Sequence, residues 1–209
     1  MPTISAEEIM AAVATLQRNK ALGGSWLSAE LLRNQSDRGL YRALAVLMTQ
    51  VCQQGIPAAW NCLSICSLFK KGDPGDPQNY RGISIMGIYP KLLAAVFLAR
   101  LEAVVEAKQL RASTQAGFRK GARLEDNILL LMTAVQRACK LRDPLRIMFI
   151  DLTKAYDMVD RGLLWGIMLG EQGLDPALVA QLQLLYHDLR AEVRGAEHLG
   201  PIPVAKGLK

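Results

Sequence analysis

Histidine is nearly absent from this chain: His187 and His198 are the only two in 209 residues. Its four cysteines, Cys52, Cys62, Cys66 and Cys139, form no CxxC pair. A zinc site built from spaced Cys and His is therefore not suggested. The thiols read instead as buried, free groups in a reducing compartment. Long apolar runs are lacking too. The longest, residues 92–98, is far short of the roughly 20 residues that cross a bilayer, so no membrane association is expected. Residues 1–20 carry Glu7 and Glu8 and no apolar signal core. An intracellular location, cytoplasm or nucleus, is expected and secretion is not. Neither an internal repeat nor a low-complexity segment interrupts the chain.

Apolar residues are plentiful at 51%, enough for a sizeable core in one large domain or two small ones. That content excludes wholesale disorder. The net charge of +6 suits a nucleic-acid partner, but spread over 209 residues it suits a soluble enzyme with no such role equally well.

Ser5 with Glu8 makes a capping-box signature. Ile9, Val13 and Leu16 follow at helical spacing and predict an amphipathic helix over 6–19, with Arg18 and Lys20 complementing the dipole at its end. Glycines near 23 mark a turn, and Ser28 is placed to cap a short helix. Leu40, Leu44, Leu47, Met48 and Val51 predict a second amphipathic helix over 38–53, ended by Gly55 and Pro57. The stretch 62–69 has the mixed alternation of a strand. Leu92, Leu93, Val96, Phe97, Leu101 and Val104 form a wide apolar face on a helix over 90–107, with Pro90 in its first turn. Ile128, Leu131, Met132 and Val135 predict another over 127–140. Asp175-Pro176 opens a helix bearing Leu178, Leu182, Leu185 and Tyr186, and 192–194 reads as a strand. His187 has no visible partner and is expected at the surface.

Three stretches concentrate chemistry. After the first strand, Lys70-Lys-Gly-Asp-Pro-Gly-Asp-Pro-Gln-Asn-Tyr-Arg-Gly-Ile-Ser is a turn flanked by Lys70, Lys71 and Arg81. Such cations either clamp a polyphosphate or form a solvated basic hairpin. In Gln115-Ala-Gly-Phe-Arg-Lys-Gly-Ala-Arg, Phe118 lies between glycines beside Arg119, Lys120 and Arg123. That pattern suits backbone phosphates of a nucleic acid, or a surface loop over a buried Phe. The third is Leu145 to Val159. Its apolar run 147–150 predicts a buried strand, and Asp151 stands where the run ends. Asp151 then either holds a hard divalent cation such as Mg²⁺ or caps a helix starting near Thr153.

Phe-Ile-Asp-Leu-Thr-Lys-Ala-Tyr-Asp-Met-Val, 149–159, closely resembles the first catalytic motif of non-LTR (LINE-type) retrotransposon reverse transcriptases. The segment from Lys70 to Ser84 resembles the fingers of that family, with Gly82 in place of its usual Pro. Gln115, Gly117, Phe118, Arg119, Gly121 and Asp126 match a further motif. Lys20, Ala21, Gly23, Glu30 and Leu32 match the segment before the fingers, with departures at Leu22 and Ser25. Gly207, Leu208 and Lys209 fit the opening of the next motif.

The resemblance implies an α+β fold, a right-hand polymerase fingers and palm fragment with helices packed on a small, mostly antiparallel sheet. It implies an N-terminal helical extension over 1–60, fingers over 61–143 and a partial palm over 144–209 that stops before an aromatic-x-Asp-Asp motif, which these residues do not contain. By the same resemblance Asp151 is the catalytic, Mg²⁺-binding carboxylate and Tyr156 is the steric gate under the sugar. Lys70, Lys71 and Arg81 hold the incoming triphosphate, and Arg119, Lys120 and Arg123 contact the template. Asp157 is expected to be structural. Arg161 begins a helix that packs Leu163, Leu164 and Trp165 on the sheet. The implied activity is Mg²⁺-dependent nucleotidyl transfer on an RNA template, a DNA primer and a dNTP. The isolated chain is expected to be inactive, because one carboxylate does not hold two Mg²⁺ ions. The other readings are a non-catalytic RNA- or DNA-binding module and an inert retroelement remnant.

Overall fold

The structure, a computed structural model, describes residues 3–20, 23, 27–35 and 37–208, the side chain of Glu197 excepted. Ala21, Leu22, Ser25 and Lys209, all named above, lie outside the described residues. The chain divides into two units, Met1–Val104 with Tyr156–Lys209, and Val105–Ala155.

In the larger unit α1 spans Ala6–Thr15, and the capping box is formed: Ser5 Oγ accepts from the Glu8 amide while Glu8 accepts from the Ser5 amide. The helix stops well before residue 19. Leu16 is extended, its carbonyl accepts from Arg33 Nη1 at 2.6 Å, and Asn19 N donates to Glu30 Oε1 at 2.6 Å. Side chains of the next helix thus draw residues 16–19 off the helical path, and Arg33 takes the dipole role expected of Arg18 and Lys20. That next helix, α2 at Ala29–Arg33, is capped by Ser28 as expected. α3 spans Arg38–Gln54 and ends on Gly55, whose φ of 103° suits a residue without Cβ.

β1 is Cys62–Phe69, and β2 is Tyr80–Ile85. α4, Ile88–Ala107, starts slightly ahead of the expected Pro90. Its Leu92, Leu93, Val96 and Phe97 are at most 1% exposed and meet Ile9, Val13, Leu44 and Met48 in the main core. Each such side chain contributes about 2–3 kcal/mol by leaving water. Gly23 presses on the peptide joining β2 to α4: a Cβ there would lie 2.6 Å from Gly87 N. Only glycine allows that approach.

After residue 156, α6 (Arg161–Gly170) and α7 (Pro176–Leu184) follow, then β3 (Arg190–Val193) and β4 (Ile202–Pro203); α5 belongs to the smaller unit and is given below. The strand expected at 192–194 begins earlier, because Arg190 N bonds the carbonyl of Asn61 at 2.8 Å and sets the register Cys62↔Arg190. α6 does not pack Leu163 on the sheet, since Leu163 is 70% exposed. It packs on α7 instead, with Trp165 against Tyr186 at 5.8 Å between ring centroids. The sheet runs β2-β1-β3-β4 and is mixed: β1 pairs antiparallel with β2 and parallel with β3, and β3 pairs antiparallel with β4.

The smaller unit holds the end of α4, a turn-rich loop, α5 (Leu124–Leu141) and an irregular segment. Two expectations fail here. Residues 147–150 are not a strand, and Met148, Phe149 and Ile150 are each at least 77% exposed. A strand exists by pairing its amides, and no described strand pairs with this run. Nor does a helix begin near Thr153, since residues 153–158 are turns and Lys154 has φ 49°, so Asp151 caps nothing. No residue of α5 is buried.

All four thiols are free, as expected. Cys52 is buried and burial pushes its thiol up, whereas Cys139 is exposed on α5, contrary to expectation. No helix among the described residues is long and apolar enough to cross a membrane.

Candidate functional site

The hairpin β1–β2 carries the best-defined group of candidate residues. Its register pairs Leu68 with Arg81 and Phe69 with Tyr80, and Lys70 N extends the ladder by donating to Asn79 O at 2.8 Å. Alternation of side chains places Lys70 and Arg81 on one face of the ribbon. The other face holds Phe69 against Tyr80, with ring centroids 5.4 Å apart. Tyr80 also donates its hydroxyl to Pro74 O at 2.9 Å, and Asn79 Nδ2 donates to Asp73 O at 3.0 Å. These bonds make the Asp-Pro turn a stiff tip. Lys70, Lys71 and Arg81 are all exposed, so their charges remain available to an anion. Ile85, on the same strand as Arg81, lines a cavity of about 530 Å³ with Leu16, Leu27 and Lys91, but none of the predicted site residues lines it.

Tyr156 belongs to the same unit and is 53% exposed. Its carbonyl accepts from Leu208 N at 3.0 Å, and Val159 O accepts from Gly207 N at 3.0 Å. Arg161 Nε, Nη1 and Nη2 donate to the carbonyls of Gly207, Val204 and Lys206 at 2.7, 2.9 and 3.0 Å. Sequence reasoning saw Arg161 only as the start of a helix. Its position directly after the Asp160 cap was the available signal, because a cation at a helix N-terminus opposes the dipole and asks for another partner.

Asp151, Arg119, Lys120 and Arg123 lie in the smaller unit. Arg119 is half-buried, while Lys120 and Arg123 are exposed. Phe118, beside them, has φ 58° and is 84% exposed, so the reading of a loop over a buried Phe is not met. An exposed aromatic among cations is the pairing that single-stranded nucleic acids use, ring on base and cation on phosphate. Asp151 is exposed. Among the described residues no three His, Cys, Asp or Glu side chains come together as a metal site. The residues present therefore do not fit a pair of Mg²⁺ ions by themselves. His187 is exposed at the surface, as expected, 3.2 Å from Asp188.

No protein-family model matches the chain. It is 25% identical over 157 residues to a probable RNA-directed DNA polymerase from transposon BS of Drosophila melanogaster, covering 75% of this chain and 17% of that protein. It is 25% identical over 210 residues to a putative 115 kDa protein in the type-1 retrotransposable element R1DM of the same fly, covering 99% of this chain and 20% of that protein. Against the RNA-directed DNA polymerase from mobile element jockey it is 26% identical over 161 residues, 76% of this chain and 18% of that one. The chain thus spans about a fifth of the length of the curated relatives it matches. Over much of its length, the sequence is similar to the RNA-directed DNA polymerases of non-LTR retrotransposons.

Proposed function

We propose that the chain is the fingers and first part of the palm of a retrotransposon reverse transcriptase, the portion that receives nucleotide and template. The observation that carries this reading is the hairpin register, which brings Lys70 and Arg81 to one exposed face on a stiff tip. Those two cations, with Lys71, hold the triphosphate of a dNTP, and Arg81 offers a planar fork that matches phosphate oxygens. Tyr156 packs under the sugar and disfavours a 2′-OH. Arg119, Lys120 and Arg123 neutralise backbone phosphates of the RNA template, with Phe118 as a stacking surface. The DNA primer completes the set of partners.

In the intact polymerase Asp151 contributes one carboxylate to Mg²⁺-dependent nucleotidyl transfer. It stands without a metal-binding group among the described residues. Charge stabilisation by positioned metal is most of phosphoryl-transfer catalysis. The isolated chain consequently recognises nucleotide and template and does not extend a primer. Extension assays on an RNA template with a DNA primer, dNTP and Mg²⁺ test this. No product is expected from the purified chain. Product formation that disappears in Asp151→Ala would show a complete catalytic centre and contradict the reading.

A further inference from the structure

We propose that Arg161 is a positioning residue for Tyr156: it straps residues 204–207 onto the turn at 156–159 and thereby fixes the aromatic that meets the sugar. This rests on the reading of Tyr156 as the sugar contact.

The geometry begins with a guanidinium used in an unusual way. Arg161 spends Nε, Nη1 and Nη2 on three main-chain carbonyls, those of Gly207, Val204 and Lys206. Among the described residues it has no carboxylate partner. Its carbon Cζ lies 4.9 Å from the centre of the Tyr186 ring, which supplies a further weak anchor for the charge. Partial burial pulls its pKa below the ordinary arginine value. Helix stability does not account for the residue, because it is a cation in the first turn of α6, where Asp160 already caps Leu163 N at 3.0 Å. Only a planar, branched donor reaches carbonyls diverging in this way, and an ammonium does not replace it.

The strapped segment then grips the turn. Gly207 N bonds Val159 O and Leu208 N bonds Tyr156 O, both at 3.0 Å, so the two amides bracket Asp157 and Met158. The approach is tight: a Cβ on Gly207 would lie 3.0 Å from Asp157 Cα and 3.1 Å from Tyr156 O, so the main chain of the turn would have to give way. Gly207 also has φ 82°, a region that residues with Cβ rarely adopt. Residues 153–158 form turns, and the Leu208 amide on Tyr156 O ties that turn to the strapped segment. Arg161 and Gly207 are two independent handles on the same bonds.

The test uses the full chain, its Arg161→Lys and Gly207→Ala variants, and nuclear magnetic resonance. Both substitutions are expected to shift the Tyr156 resonances and to raise exchange of the Leu208 amide about tenfold or more, with exchange in α4 unchanged. Tyr156 signals that stay put in both variants would overturn the proposal. Titration with dATP and ATP supplies the functional arm. The parent is expected to prefer dATP, and Tyr156→Ala and Arg161→Lys both reduce that preference. If Tyr156→Ala removes the preference and Arg161→Lys preserves it, the strap does not position the ring and this inference fails alone. If Tyr156→Ala changes nothing, the sugar-contact reading fails and the inference falls with it.

Discussion

Arg100 of α4 holds Glu8 of α1 through two hydrogen bonds, Nε to Oε1 at 2.7 Å and Nη2 to Oε2 at 2.9 Å. The same guanidinium reaches Gln181 Oε1 at 3.1 Å and Thr3 O at 2.9 Å, so one side chain joins α1, α4 and α7. Glu8 also accepts from Ser5 N at 2.9 Å. The Arg100 bonds hold the Glu8 carboxyl below its ordinary 4.5, against the opposing effect of burial. A depressed folded-state pKa gives stability that is present above the unfolded value and is lost as pH falls through the folded one. Urea unfolding of Glu8→Gln should show a loss of about 1–2 kcal/mol at pH 7, the pair being partly exposed. That deficit should shrink as pH falls below 4.5 and through the lowered pKa of the folded parent, where Glu8 also protonates. A deficit independent of pH would contradict this account of the pair.

Gly82 stands where the resembling family has Pro, and the hairpin explains why either residue fits. The Lys70–Asn79 bond sets the alternation, which makes Ser67↔Gly82 a pair that exchanges no ladder bonds. β2 is an outer strand, so the Gly82 amide faces the open edge. Gly82→Pro therefore removes no sheet bond and restricts the unfolded chain, and should raise stability by up to about 1 kcal/mol. The nearest obstacle is Ile65 Cγ2, 3.3 Å from an added Cβ. A lower thermal midpoint in the variant would show that the amide is bonded after all.

Asp151 is exposed and caps no helix, so its removal should not disturb the fold. Asp151→Ala is expected to unfold within about 0.5 kcal/mol of the parent and to bind RNA equally well. A large loss of stability would give Asp151 a structural role in place of the catalytic one proposed for it.

Much of the larger unit was legible because its signals are local. Cys62–Phe69 was read with its observed bounds, and Ser5 with Glu8 and Ser28 were read as caps, because alternation and capping are written in neighbouring residues. The end of α1 was not legible, since Arg33 and Glu30 take residues 16–19 from elsewhere in the chain. Residues 147–150 show the converse. Their apolar run is a property of the segment, but a strand is a property of two segments, and no described strand pairs with this one. In the site, the cations of the hairpin were visible as composition, whereas their common face needed the register. Arg161 was missed because its partners are main-chain carbonyls, which any sequence offers.

Nucleic-acid recognition by this chain is tested most directly by the salt dependence of its binding to a short single-stranded RNA, followed by fluorescence anisotropy, for the parent and for the combined variant Arg119→Ala, Lys120→Ala, Arg123→Ala. Each phosphate contact contributes about 0.7 to the slope of log K against log salt for a single strand. The parent should bind with a steep slope, and the variant should bind more weakly with a slope shallower by about 2. Binding that ignores salt, or a variant whose slope matches the parent's, would contradict the assignment of these cations to the template.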